Sequence, residues 1–357
     1  MTNDKSDNTK ILLYGANGYT GQLITKYAME SGLTPILAGR NKEAIKSLAE
    51  ANDLEYSIFN LGDRDAAEKA LEGIDLVLHA AGPFMYTAKP MIKACLKNGA
   101  HYLDITGEIA VFEMANRFDD RARQKELVIM PGVGFDVVPT DCMAVYLKQK
   151  LPDATRLKLG FGSVGGGISR GTAMTMIEGL GAGSAERVDG RIVRVPMAQK
   201  TIRVDVDGKT YQMMSIPWGD VSTAYHSTGI PNIETYTAVS ASALRMARLQ
   251  NYFGGVMRSG VVKRFLRKKV EKRPAGPSDA RRDRARSFVY GEATNAKGEK
   301  AAAILHSPEG YTLTAMTSVM IVQAVLNGKV ESGFQTPAKA LGADFILKVE
   351  GTKRVDL

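Results

Sequence analysis

The sequence predicts an α/β protein in two parts: an N-terminal Rossmann-type, doubly wound parallel sheet and a C-terminal α+β domain with a mixed or antiparallel sheet. Three observations carry this reading. Over the first 130 residues, short apolar runs alternate with helix-period stretches at a regular beat. A glycine-rich turn follows directly on the first apolar run. After Pro131 the beat changes, and strand-like runs come in adjacent pairs. The 357 residues, 44% hydrophobic and 24% charged, suffice for two such domains and exclude a collagen, a disordered chain or a disulfide scaffold.

In order, residues 10–14, 34–38, 56–59, 75–79, 102–105 and 127–130 read as six strands. Residues 19–31, 42–52, 65–71, 89–98 and 113–125 read as the helices between them, so right-handed crossovers build a parallel sheet covered on both faces. Further on, 201–206 and 209–213 form a hairpin about Asp207-Gly208, a type I′ signal. Residues 287–294 and 301–306 flank a second turn at 295–299, and 234–239 is a further strand. Helices are expected at 171–180, 241–251, 261–272 and 311–326, and the Pro-, Gly- and charge-rich stretch 273–285 reads as an exposed loop. The implied organisation is a flexible tail at 1–9 and a cofactor-binding domain at 10–131, whose sheet elements near 311–350 could complete. A substrate or dimerisation domain follows at 132–310.

Composition narrows the function classes. The net charge of +9 is concentrated between Lys263 and Arg286, where eleven Lys/Arg face three acids, so the rest of the chain is close to neutral. A general nucleic-acid binder is therefore not indicated. The basic segment mixes cations with Val262, Phe265, Leu266 and Val270, as a helix lying on a membrane surface would, and a solvated charged helix fits the same residues. Cys95 and Cys142 are too few for a disulfide framework or an all-cysteine zinc site, which points to a reducing, cytoplasmic setting. The polar N-terminus lacks the apolar core of a signal peptide. Residues 311–326 carry no charge but are diluted by Thr312, Thr314, Thr317, Ser318 and Gln323, and read as a buried helix rather than a membrane span.

The glycine turn runs Gly15-Ala16-Asn17-Gly18-Tyr19-Thr20-Gly21. Placed in the first βα connection, it lets main chain approach a pyrophosphate at a helix N-terminus; a tight turn with no ligand has the same pattern. An acidic residue at the end of the second strand would hold the ribose hydroxyls of NAD, but Gly39 stands there, followed by Arg40 and Asn41. A guanidinium at this point suits the 2′-phosphate of NADP(H). Asn60 and Leu61, after the third strand, are placed to border the adenine. His79 ends the fourth strand, and Ala81, Gly82, Pro83 and Phe84 follow it where a nicotinamide would pass close to the backbone.

With GANGYTG, LAGR, HAAGPF, HYLDITGE, PGVGFDVVPTD, PWGDVSTAYHSTGIPN and TPAKALG in order along nearly the whole chain, the sequence resembles the saccharopine dehydrogenase-like reductases, in particular the trans-acting enoyl reductase branch. The resemblance implies an N-terminal NADP-binding Rossmann domain and a C-terminal mixed-sheet domain that shapes the substrate pocket. It carries Gly15, Gly18, Gly21 and Arg40 onto the cofactor motif and Ala81, Gly82, Pro83 and Phe84 onto the nicotinamide-side loop. His79 departs from the family's common small polar residue, so no proton-donor role passes to it.

Reduction by hydride transfer also calls for a proton donor. No Tyr-x-x-x-Lys pair stands in the short-chain dehydrogenase position. Tyr86, Asp104, Thr106, Glu108 and Asp136 lie after strands on the ligand side of the sheet; Asp104 and Asp136 equally suit helix caps or interdomain bonds. The aperiodic stretch 218–232, with Trp218, Asp220, Tyr225 and His226, reads as a functional loop. The candidate catalytic residues are His226, Tyr225 and Glu108. The four histidines have no acidic partners at metal-ligand spacing, so no metal site is expected. The glycine-rich stretch 160–171 lacks a Walker A ending and reads as a flexible rim or hinge. Together these features point to an NADPH-dependent oxidoreductase reducing an enoyl or carbonyl group of a hydrophobic, lipid-like compound. The alternatives are a non-catalytic NADP sensor and a saccharopine-type C–N oxidoreductase. A homodimer and a peripheral membrane contact through Lys263 to Arg286 fit the same reading.

Overall fold

A computed structural model describes residues 9–357; apart from Thr9, the expected tail lies outside the described residues. The chain forms two compact units. The first holds residues 9–106, Ala110–Gly134 and Thr314–Gln335, and the second holds Gly107–Ile109, Phe135–Leu313 and Thr336–Leu357.

In the first unit, β1 (Ile11–Tyr14), β2 (Ile36–Gly39), β3 (Tyr56–Ile58), β4 (Leu76–His79), β5 (His101–Asp104) and β6 (Val128–Met130) pair in the order β6-β5-β4-β1-β2-β3. All are parallel, and Tyr14 is in register with Ala38 on one side and His79 on the other. Both faces of the central strands are covered, which is why Leu12, Leu13, Leu76 and Val77 are buried without alternation. A seventh strand, Gly333–Phe334, pairs in parallel with β6 and extends the sheet from far along the chain.

The helices Tyr19–Glu30 and Lys42–Asn52 stand where the periodicity places them. The helix expected at 89–98 starts earlier, at Phe84–Asn98, because Pro83 serves as its N-cap while Pro83 and Pro90 mask the start of the pattern. Tyr86 is therefore in the first turn of that helix and not in a loop. The single helix expected at 113–125 is two, Ile109–Asn116 and Asp119–Gln124.

The second unit is built on nine strands. β7 (Ala154–Val164), β8 (Ser184–Val188), β9 (Arg191–Val195), β10 (Thr201–Val206), β11 (Lys209–Ser215), β12 (Asn232–Ala238), β13 (Arg286–Asn295) and β14 (Lys300–Pro308) are joined by Lys353–Asp356. The order is β10-β11-β12-β7-β13-β14-(Lys353–Asp356), with the β8–β9 hairpin attached to β12. Only β7 with β12 is parallel, so the sheet is mixed.

Three expectations fail here. The rim expected at 160–171 is mostly regular structure: β7 runs through Val164, and the helix Arg170–Glu178 begins soon after. Its glycines are packing positions: a Cβ on Gly160 would lie 2.8 Å from Met213 Cε, and one on Gly162 would overlap the Phe288 ring. The loop expected at 273–285 contains the helix Asp279–Arg284, whose Arg282 is buried. The stretch 218–232 contains the helix Asp220–Thr228 and the start of β12.

Candidate functional site

In the first unit the main chain makes the site. Gly15 has φ +88°, and a Cβ there would meet Ala81 and Ala80 at 2.8–2.9 Å. Its N–H donates to Ala38 O at 2.7 Å, and the Gly18 N–H donates to Gly15 O at 3.0 Å. Gly21 lets the helix pack on the turn, since a Cβ would stand 2.3 Å from Gly15 O. Gly18 caps the helix Tyr19–Glu30 in extended conformation with no side chain in the way. A helix begun like this presents main-chain N–H groups and its positive dipole end to an anion. Asn17 is held by its own carbonyl, which accepts from Gln22 Nε2 at 3.1 Å, while Tyr19 and Thr20 open the helix half-exposed.

At the end of β2, Gly39 is buried, with a Cβ position 3.0 Å from Ile45 Cδ1, so a side chain there would have to displace the tip of Ile45. Arg40 beyond it is exposed, and its charge reaches the Tyr14 hydroxyl. The Asn41 side chain serves the fold, because its Oδ1 accepts from Ala44 N at 3.0 Å and caps the helix Lys42–Asn52. Asn60 likewise accepts from Gly62 N at 3.0 Å, and Leu61 is buried.

After β4, Thr87 ties the loop together. Its hydroxyl donates to Ala81 O at 2.8 Å, which leaves His79 Nε2, 2.9 Å away, as the donor to Thr87 Oγ1. His79 Nδ1 is then an unprotonated acceptor, and it has no hydrogen-bond partner. The ring lies wholly buried among Tyr14, Phe84 and Tyr102, and burial pushes its pKa down to about 3. His79 is a neutral structural base. The Gly82–Pro83 peptide is cis, and Phe84 is buried against the loop.

Asp104, also fully buried, accepts from Tyr102 Oη at 2.6 Å, Thr106 N at 2.9 Å and Gly132 N at 3.0 Å. It clips the loops after β5 and β6 together, and no oxygen is left to hold a substrate proton.

The second unit gathers acids. Asp136 lies against Gly107, where a Cβ would come within 3.0 Å of its carboxyl, and burial together with the neighbouring Glu108 charge pushes its pKa up to about 7. Asp141, in the buried helix Val138–Lys150, accepts from Ser227 Oγ at 2.5 Å and Ala338 N at 2.8 Å, yet burial still raises it to about 6. Asp220, the first residue of its helix, is fully buried and neither carboxyl oxygen accepts a hydrogen bond of normal geometry. Burial, with the nearby charges of Asp141 and Asp136, holds its carboxyl well above the usual range.

Of the expected catalytic residues, Glu108 is half-buried beside Asp136, and His226 lies near enough to Asp141 for its charge to be felt there. Tyr225 is elsewhere: its ring packs under Arg187, whose guanidinium carbon is 4.2 Å from the ring centroid and is itself tied to Val221 O and Gly190 O. Asp141 carries none of the loop signals that mark the other acids. An acid inside the apolar run Val137-Val138-Pro139-Thr140-Asp141-Cys142-Met143 is the signal that finds it. Among the described residues no group of three His, Cys, Asp or Glu is arranged to hold a metal ion.

A parallel sheet in the order 3-2-1-4-5-6, opened by a glycine turn at the first helix, defines a dinucleotide-binding domain. Residues 11–130 match the family model "Saccharopine dehydrogenase NADP binding domain". The chain is similar to "Saccharopine dehydrogenase-like oxidoreductase" of Homo sapiens, 26% identical over 196 residues covering 48% of this chain and 46% of the relative. It is also similar to "Trans-acting enoyl reductase" of Mycobacterium bovis, 28% identical over 154 residues covering 41% of this chain and 37% of that one. The chain spans about half the length of the curated relatives it matches. Among solved structures, apo histidine-tagged saccharopine dehydrogenase (L-Glu forming) from Saccharomyces cerevisiae has the same fold, with a TM-score of 0.65, 12% identity, and 98% of this chain and 100% of that chain covered.

Proposed function

We propose that the protein is an NADPH-dependent reductase of an enoyl or carbonyl group on a hydrophobic, acyl-type compound. The observation that carries the cofactor half is the end of β2: a buried glycine where a carboxylate would hold a free ribose, followed by an exposed arginine. The name of the mycobacterial relative supports the enoyl reading, and that of the human relative supports an oxidoreductase. NADPH, when bound, supplies the hydride. The chain's own residues then divide the remaining work. The main chain of Gly15 to Gly21 holds the pyrophosphate, and Arg40 holds the 2′-phosphate. Ala81, Gly82, Pro83 and Phe84 leave the backbone low enough for the nicotinamide ring to lie beside it. Asp136, whose carboxyl is half protonated near neutrality, is the group we assign to hold the proton that matches the hydride, with Glu108 tuning it. Both cysteines are free and buried, and burial raises their thiols, as suits a reducing, cytoplasmic setting.

The test is to follow NADPH oxidation by the purified protein against enoyl thioesters, ketones and imines of short and long chain. Turnover of an enoyl or carbonyl compound, with kcat following a group of pKa near 7 that vanishes in Asp136→Asn, supports the assignment. Tight NADPH binding with no turnover of any class makes the protein a cofactor sensor instead. Turnover of imines alone makes it a C–N oxidoreductase.

A further inference from the structure

We propose that residues 241–269 form a docking surface for an anionic lipid bilayer, independent of the reaction. The stretch folds as three short helices, Ala241–Leu249, Gly254–Met257 and Gly260–Glu271. Single exposed apolar side chains are ordinary on any protein. Here seven of the eighteen large ones exposed among the described residues fall between Met246 and Phe265, with Tyr252 84%, Val261 77% and Phe265 68% exposed. Side chains this exposed protrude into solvent, Tyr252 from the rim of a cleft it shares with Gly181 and Met197.

The last helix shows that this exposure is not simply a helix awaiting its own core. Its inward face is already used: Leu266 and Val270 pack on Ala173 and Ile177. Lys263 Nζ donates to Glu178 O at 2.6 Å, and Arg267 pairs with the Glu178 carboxylate. The outward face carries Val261, Arg264, Phe265 and Lys268, spaced i, i+3, i+4, i+7. In the first helix Ala247 is buried, while Arg245, Met246 and Leu249 face out.

Charge selects the occupant. From Val239 to Val270 there are eight Lys/Arg and no acid. Arg245, Arg264, Lys268 and Lys269 make no ion pair among the described residues. A second copy docked on this face would set like charges together. Apolar and aromatic tips ringed by unopposed cations fit a surface that is negative outside and apolar just beneath, which is an anionic bilayer. No helix among the described residues is long and apolar enough to cross a membrane, so the binding is in the plane of the interface.

The surface is not the one the charge count selects. Beyond Lys272 two of the cations are tied to the fold: Arg281 Nε donates to Gly165 O at 3.0 Å, and the buried Arg282 pairs with Asp279 at 3.0 Å. The docking face is thus shifted toward the N-terminal side of the basic segment and includes residues that carry no charge.

The experiment is co-sedimentation of the full chain with phosphatidylcholine vesicles, with and without phosphatidylserine, at low and high salt. Binding is expected only to the phosphatidylserine vesicles and is released by salt. The pair Arg264→Ala, Lys268→Ala should weaken it roughly 30-fold, at about fivefold per cation. The pair Tyr252→Ser, Phe265→Ser should weaken it by roughly tenfold or more, leaving NADPH affinity unchanged. Arg281→Ala should leave vesicle binding unaltered. The proposal is overturned by equal recovery on neutral and anionic vesicles at every salt concentration, or by outward-face variants that bind like wild type. It is equally overturned by tighter binding to a single-stranded oligonucleotide than to phosphatidylserine vesicles at matched salt, or by outward-face variants that change the oligomeric state and nothing else.

Discussion

His79 in the first unit is fully buried and Asp136 in the second is half-buried, and burial acts on the two in opposite directions. His79 is a base, so burial strips its proton and takes its pKa down to about 3. Asp136 is an acid, so burial keeps its proton and takes its pKa up to about 7; Asp141 and Asp220 follow it upward. The first unit satisfies its buried acid completely, with three donors on Asp104, and leaves a ring nitrogen bare. The second leaves both oxygens of Asp220 bare. The contrast separates a unit whose site is made of main-chain geometry from one whose buried carboxyls are shifted upward.

The sharpest way to break this comparison is at the glycine turn. Gly21→Ala puts a methyl 2.3 Å from a backbone oxygen, which cannot yield as a flexible side chain would. We expect a loss of about 2–4 kcal/mol of stability and of more than ~100-fold in NADPH affinity, read by denaturant titration and fluorescence. Intact affinity in this variant would show that the turn is not the cofactor cradle.

Next in size is the pH response, which should have opposite signs in the two units. Asp136 binds more protons folded than unfolded between pH 4 and 7, so the second unit should lose about 2–4 kcal/mol as pH rises through that window. In Asp136→Asn much of that slope should vanish. His79 binds fewer protons folded than unfolded, so the first unit should lose up to about 4 kcal/mol as pH falls from 6.5 toward 3, and His79→Asn should flatten that limb. The single tryptophan, Trp218, is in the second unit and reports it alone, while amide exchange in β1 and β4 reports the first. Parallel slopes in the two probes would sink the contrast.

Arg40→Ala should weaken NADPH by about 10- to 150-fold, the worth of one charge-assisted hydrogen bond of roughly 1.5–3 kcal/mol, and leave NADH nearly unchanged. Asn41, committed by its Oδ1 to the helix cap, has only its amide nitrogen to offer in compensation. Titration with both nucleotides at fixed ionic strength decides it, and equal losses would remove Arg40 as the selector. The smallest effect belongs to Tyr225→Phe, which keeps the ring under Arg187. Stability should move by no more than about 0.5 kcal/mol and kcat should not change. A large fall in kcat would return the Tyr225 hydroxyl to the chemistry.

The same contrast decides what could be read from the residues alone. In the first unit the site is the spacing of three glycines and the residue after β2, which are visible in the chain itself. Asp207-Gly208 is equally legible, with φ of 52° and 74° at the two turn positions. In the second unit the informative property is burial, which has no local signature. Helix Val138–Lys150 is buried all round over its first seven residues, Thr140 and Asp141 included, and shows no stripe to count. The helix Asp220–Thr228 points Asp220, Ser222 and Thr223 inward, reversing the usual polarity of a pattern. β7, central to its sheet, hides behind Gly160 and Gly162, whose missing side chains are replaced by Met213 from β11, two strands away, and Phe288 from the neighbouring β13.

The strand Gly333–Phe334 has a consequence for the order of events on the ribosome. The sheet edge at β6 is complete only when this strand arrives, and Thr317 Oγ1 donates to Val133 O at 2.9 Å from the same late segment. Roughly 200 residues separate Gly134 from Gln335, so at ordinary elongation rates the nascent NADP-binding sheet waits about 10–40 s with that edge unpaired. For that interval the emerging second unit is translated beside an open strand. A messenger that slows translation within residues 135–313 would lengthen the wait, and one that speeds it would shorten the exposure to strand-mediated aggregation.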